Sequence, residues 1–274
     1  MLNELQHNYN EEDINNNIEN ENDNEKEEGN NSLSNNSLQN IINENISNTS
    51  KNIKVYCRFR PPNEKELSHS TNNCLILLSP QNLLFTQEKN LEIKKEYVFD
   101  GLFDINTPKE IFYIKACNPI ISKFLLGYNG SIICYGETGT GKTFTIKEII
   151  PFIITKIFEF INESDSNNEL FKIEISSIEI IKEQINDLLN TNNKNLNLNQ
   201  GEIINITKKT ISSIEQMTEV LEEIISLRNI KENNQGHFII EITLYHYMKR
   251  NNCLINSKLF LVDLEGSERL SKTK

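Results

Sequence analysis

Eight residues restrict this chain more than any others: Gly136-Glu-Thr-Gly-Thr-Gly-Lys142-Thr143. They follow Ser131 to Tyr135, a short and almost wholly apolar run, and they precede a helical pattern that begins at Lys142. GxxxxGK[ST] between a strand and a helix is the pattern of a phosphate-binding loop. Glycines let the backbone wrap an anion, and successive N–H groups point inward. The helix N-terminus adds a favourable dipole and free donors. Gly136, Glu137, Thr138, Gly139, Thr140 and Gly141 then form the cradle. Lys142 places a cation on the β and γ phosphates of a nucleotide, and the Thr143 hydroxyl is expected to ligate Mg2+.

Such a loop needs a carboxylate on a neighbouring strand to hold the water shell of the metal. Leu259-Phe-Leu-Val-Asp263 supplies one, with four apolar residues and then Asp at the end of the run. An apolar run ending in Asp is common in isolation; beside a phosphate loop, Asp263 becomes a metal-site candidate acting through water. Gly266 follows three residues later, where its N–H can meet the γ-phosphate.

The surrounding pattern is α/β. Ile53 to Arg60 alternates as a strand and ends at Pro61-Pro62. Leu75 to Leu78, Leu83 to Phe85 and Lys95 to Phe99 read as short strands. Thr107-Pro108 reads as a helix start, with Thr as N-cap and Pro in the first turn; that helix is expected to reach Leu126. Ser131 to Tyr135 reads as a central strand covered on both faces. Pro151 is expected to open a new helix ending near Ile161. Leu170 to Ile181 is a strand, Ser213 to Leu227 a helix, and Phe238 to Tyr247 and Ser257 to Leu264 are strands. Strands and helices intermixed around an apolar strand–loop–helix unit indicate an α/β architecture.

Charge separates the chain into two parts. Residues 1–50 hold 17 Asn, 11 Asp or Glu and one Lys. That leaves 27 of the 28 basic residues against 28 of the 39 acidic ones in 51–274, a balance of −1. The first segment has too little to bury and is expected to be disordered, either as a flexible regulated arm or as a plain low-complexity extension. The near-neutral remainder argues against nucleic-acid binding through bulk charge. Five scattered cysteines without a CxxC make a disulfide framework or zinc knuckle improbable, and Cys57 and Cys134 are expected to be buried thiols in a reduced, cytoplasmic setting. No secretory signal and no membrane span are visible.

With these residues in hand, residues 52–274 resemble the kinesin motor domain. Ile53-Lys-Val-Tyr-Cys-Arg-Phe-Arg-Pro61 is similar to the family's first strand and its RxRP end, and Tyr97-Val-Phe-Asp-Gly-Leu-Phe103 to YxFDxVF. Tyr135 to Thr143 is similar to YGQTGTGKT, and Glu148-Ile-Ile-Pro151 to GIIP with Glu148 in place of glycine. Glu179 to Leu189 resembles EIYNExxxDLL, and Leu261 to Arg269 resembles LVDLAGSER. The resemblance implies a P-loop NTPase-type three-layer sandwich, with a mixed central sheet flanked by helices. It implies ATP and Mg2+ as ligands, microtubules as partner and a cytoskeletal location. It places Arg58, Arg60, Pro61 and Phe144 around the adenine, and Gly266 and Glu268 in the second switch.

The chain also departs from the family pattern. The first switch, NxxSSRSH in the family, corresponds here to Ile230-Lys-Glu-Asn-Asn-Gln-Gly-His237. It is shorter, with Asn233 and Asn234 for the serines and Gln235 for the arginine that pairs with Glu268. Glu265 and Glu137 replace Ala and Gln. The segment Asn195 to Glu202, where relatives face the microtubule, reads as a solvated Asn loop. The sequence stops at Lys274, before the strand that the family inserts between its first strand and the P-loop strand. Residues 51–274 are therefore expected to be a motor domain incomplete at its C-terminus. Two readings follow. One is a motor domain coupling ATP hydrolysis to microtubule-based movement. The other is a kinesin-like nucleotide-binding protein with weak or no hydrolysis, or a non-motile fragment. The first is favoured for the family, and the second for the activity of these 274 residues. A third, an unrelated P-loop NTPase, would have to reproduce the RxRP and DLEGSER motifs by chance.

Overall fold

The chain separates into two units, Met1–Ser50 and Lys51–Lys274. The structure, a computed structural model, describes residues 53–68, 75–87, 90–194, 196–230 and 236–268, all in the second unit. The expectation of disorder for 1–50 and the substitutions at Asn233, Asn234 and Gln235 lie outside the described residues.

In chain order the elements are β1 (Tyr56–Arg58), α1 (Glu64–Ser68), β2 (Leu75–Leu77), β3 (Asn82–Gln87), β4 (Asn90–Val98), β5 (Gly101–Phe103), α2 (Lys109–Phe112), α3 (Asn118–Leu125), β6 (Gly130–Cys134), α4 (Lys142–Glu163), β7 (Glu169–Ile181), β8 (Gln184–Asp187), β9 (Leu198–Asn199), β10 (Glu202–Ile203), β11 (Lys209–Ile211), α5 (Ile214–Ile230), β12 (His237–Met248) and β13 (Cys253–Asp263). Among the described residues the central sheet has the order β11-β7-β12-β13-β6, with β8 paired to β7. It is mixed: β6 and β13 run parallel, and the other pairs are antiparallel. β1 pairs in parallel with β5, and β2, β3 and β4 form a separate antiparallel sheet.

Alternation decides which side chains meet the helices. Phe238, Ile240, Ile242 and Leu244 of β12, with Ile173 and Ile175 of β7 and Leu259 and Leu261 of β13, join one core with Ile121 and Phe124 of α3, Ile153 and Ile157 of α4, and Met217 and Leu221 of α5. On the opposite face of β7, Ile178 starts a smaller cluster with Ile185 and Leu196. The result is an α/β fold of the P-loop NTPase type, a mixed sheet flanked by helices.

Four expectations need correction. Pro151 does not open a helix; it lies inside the 22-residue α4. Ile146, Ile149, Ile150, Ile153, Ile154 and Ile157 are buried at helical spacing on either side of it, so tertiary burial outweighs the lost N–H, and the ring faces out. Second, Ser131 to Tyr135 is not covered on both faces: Ile133 is 59% exposed, and β13 is the strand that pairs with β6 among the described residues. Third, Thr107 is not a side-chain cap. Its hydroxyl donates to Asp104, Pro108 occupies the cap position, and a π turn at Tyr113–Cys117 joins α2 to α3. Fourth, Cys57 and Cys134 are only partly buried, while Cys117 is fully so. The Asn-rich 196–203 segment is also more ordered than a loop, since β9 and β10 form a hairpin through Gln200 and Gly201, both at positive φ.

Candidate functional site

The parallel pairing of β6 with β13 sets Cys134 opposite Asp263. The loop leaving β6 and the acidic end of β13 therefore emerge side by side. Leu264 N–H donates to the Cys134 carbonyl at 3.2 Å, and Ser267 N–H to the Gly136 carbonyl at 3.1 Å, so the segment after Asp263 is tied to the glycine loop.

Within that loop Gly139 and Gly141 have φ of 83° and 95°, a region side-chain-bearing residues avoid, and a Cβ at either would point into open space. Gly141 also caps α4 in the left-handed conformation without a side-chain cap, and the first N–H groups of a helix have no intrahelical partner. The Lys142 ammonium donates to the carbonyls of Gly136 and Glu137, both at 2.9 Å. The Thr143 hydroxyl donates to Asp263 Oδ2. Asp263 is 1% exposed, and its Oδ1 is buried without a hydrogen-bond partner among the described residues. A buried carboxylate oxygen without a donor is costly. Its place beside Thr143 fits an acceptor for water on a metal held by the Thr143 hydroxyl.

Glu268 reaches the same loop. Its carboxylate accepts the Thr138 N–H at 3.0 Å and the Thr138 hydroxyl, and the hydroxyl contact holds the carboxyl below the usual glutamate range. A Cβ on Gly266 would meet this carboxylate and Thr138 Oγ1, so a larger residue there would first have to displace the Glu268–Thr138 contact. His237 Nδ1 accepts the Glu265 N–H at 3.1 Å.

A cleft opens beside the loop, lined by Thr140 and Gly141 together with Arg58, Arg60, Pro61 and Phe144. Arg60 donates from Nε to the Gly139 carbonyl at 2.7 Å and from both amino groups to Glu66. Glu66 also closes a capping box with Asn63, accepting the Asn63 N–H while Asn63 Oδ1 accepts the Glu66 N–H. The Arg60 hydrogen bond, then that of the Asn63 backbone, pulls the Glu66 carboxyl down to about 2. The Phe144 ring is 62% exposed, open for stacking on a base.

Phe112, Thr107 and Thr145 line the cleft too; none is a site residue in the sequence reading, where Thr107 stands only as a helix cap. Thr145 carried a signal, since it follows Phe144 directly after the loop; Phe112 carried none beyond helical periodicity. Burial pushes the thiols of Cys117 and Cys134 up to about 12, so neither is a nucleophile at neutral pH. Among the described residues no cluster of His, Cys, Asp and Glu is arranged to hold a metal by itself.

A family model, Kinesin motor domain, matches residues 58–274. The chain is similar to Kinesin-related protein 3 of Dictyostelium discoideum, at 33% identity over 244 residues, which is 81% of this chain and 20% of that protein. It is similar to the kinesin heavy chain of Drosophila melanogaster, at 35% identity over 242 residues, 81% of this chain and 24% of that one. Its structure is similar to that titled "Structure of a fast kinesin: Implications for ATPase mechanism and interactions with microtubules", with a TM-score of 0.74 and 29% identity, over 81% of this chain and 68% of that chain. The chain spans about a fifth to a quarter of the length of the curated relatives it matches.

Proposed function

The chain belongs to the kinesin motor domain family, and from that premise we propose that it binds ATP with Mg2+ and couples ATP hydrolysis to microtubule-based movement. The family is a nucleotide-binding one. Residues 51–274 are the motor unit in this reading, and residues 1–50 an acidic extension. The observation that carries it is the meeting of Thr143 with Asp263, whose second oxygen is buried and unpartnered among the described residues.

In this reading the Thr143 hydroxyl and, through water, Asp263 would hold Mg2+, which when bound would supply charge neutralisation at the phosphates. The cradle from Gly136 to Gly141 and the Lys142 ammonium bind the phosphates. Lys142 gives up the carbonyls of Gly136 and Glu137 to do so. The Gly266 N–H and Glu268 close the γ-phosphate side. Arg58, Arg60, Pro61 and Phe144 frame the adenine. Membership of the family supports microtubules as partner and a cytoplasmic, microtubule-associated location, while the near-neutral balance of residues 51–274 argues against nucleic-acid binding through bulk charge. No helix among the described residues is long and apolar enough to cross a membrane. Relatives named as kinesin heavy chains favour the motor reading over that of a binder without hydrolysis.

The test is phosphate release by the full chain with ATP, with and without polymerised tubulin. Release that rises with microtubules and disappears in Lys142→Ala supports the proposal. Nucleotide binding without microtubule-stimulated release would restore the binder reading.

A further inference from the structure

Glu148 lies one helical turn beyond Phe144 on α4, and its carboxylate pairs with the Arg58 guanidinium of β1. Arg58 Nη1 donates to Thr145 Oγ1 at 3.1 Å, and Nη2 donates to Glu148 Oε2. The guanidinium carbon stands 4.6 Å from the centre of the Phe112 ring and 5.8 Å from that of Phe144. The Tyr113 hydroxyl donates to the Glu148 carbonyl at 2.7 Å, fixing the backbone that carries the carboxylate. Arg58 lines the cleft, and the pair is largely shielded from solvent, with side-chain exposures of 26% for Arg58 and 21% for Glu148. Both amino groups of the guanidinium are thus engaged by α4, and Phe112 stacks beside it.

This bears on which base the cleft accepts. A free guanidinium presents a fork of donors that matches the O6 and N7 acceptors of guanine, whereas adenine offers N7 beside an amino donor. Glu148 and Thr145 take one N–H of each amino group and fix the guanidinium's orientation, so it cannot turn to aim those groups at guanine without giving up both contacts. We propose that Glu148 is a positioning residue for base selection: by holding Arg58 it disfavours guanine and so favours adenine. The proposal rests on the nucleotide reading above, and the experiment separates the two.

Equilibrium binding of ATP, GTP and inorganic tripolyphosphate, each with Mg2+, is measured for the full chain and for Glu148→Gln, Glu148→Ala and the double variant Glu148→Gln with Arg58→Lys. Freeing a charge-assisted pair predicts a shift of about tenfold toward GTP in the GTP-to-ATP affinity ratio of both single variants. Tripolyphosphate affinity should stay unchanged. The shift should vanish in the double variant, because lysine has no fork. An unchanged ratio in folded single variants, a shift that survives Arg58→Lys, or loss of tripolyphosphate binding in both single variants would overturn the proposal. Failure of the unaltered chain to bind any of the three ligands would instead refute the nucleotide reading.

Discussion

Thr143 and Asp263 stand 120 residues apart in sequence and share a hydrogen bond at the adjoining ends of the P-loop and the β13 strand. Among the described residues the pairing leaves Asp263 Oδ1 buried and unpartnered. That is the mark of a site shaped for something other than the stability of the fold. Asp263→Asn keeps the shape and removes the buried charge. It is expected to leave the unfolding temperature equal or higher, while the Mg2+-dependent part of nucleotide affinity falls about 10–100-fold. Thermal unfolding and binding with and without Mg2+ check both halves; a variant that loses stability and keeps its metal dependence would place Asp263 in the core instead.

Glu268 holds the Thr138 N–H that a bound phosphate would also seek. Glu268→Gln weakens that hold, since an amide accepts a hydrogen bond less strongly than a carboxylate. Nucleotide affinity should rise about fivefold, while turnover falls because the second switch loses its charge. Weaker binding in the variant would show that the contact prepares the loop rather than competing for it.

The Arg60–Glu66 pair gives a pH dependence with a definite sign. The Glu66 carboxyl is depressed from 4.5 to about 2, so its contribution to holding Arg60 is complete above the ordinary glutamate range. It is lost only as pH falls through about 2. An NMR titration of the Glu66 side-chain carbonyl carbon should show the depressed midpoint, and a midpoint near 4.5 would mean that the pair does not persist in solution.

Much of this site was legible in the sequence because its parts are local. The glycines, Lys142 and Thr143 are contiguous, and Asp263 closes an apolar strand. The less visible parts depend on distant partners. Glu148 stood out only as a residue in place of glycine, and its hold on Arg58 links positions 90 apart. The strands Gly101–Phe103 and Lys209–Ile211 are three residues each, too short for a period to show. The reading of Ser131 to Tyr135 as doubly covered assumed neighbours for the Ile133 face, which composition cannot supply. Pro151 obeys a local rule that six buried isoleucines of α4 override.

That override has a measurable consequence. Pro151 is exposed and interrupts the backbone ladder of α4. Pro151→Ala restores an N–H for the Lys147 carbonyl and should stabilise the protein by about 1–3 kcal/mol. Denaturant unfolding checks this; a loss of stability would mean that the ring itself packs against a neighbour.

The proposed Mg2+-dependent ATP site consists of the loop from Gly136 to Thr143 together with Asp263. Titration of the full chain with a fluorescent ATP analogue and Mg2+, beside Lys142→Ala, addresses it most directly. Saturable binding by the unaltered chain that disappears in Lys142→Ala is the predicted result. Equal binding by both, or by neither, would contradict it.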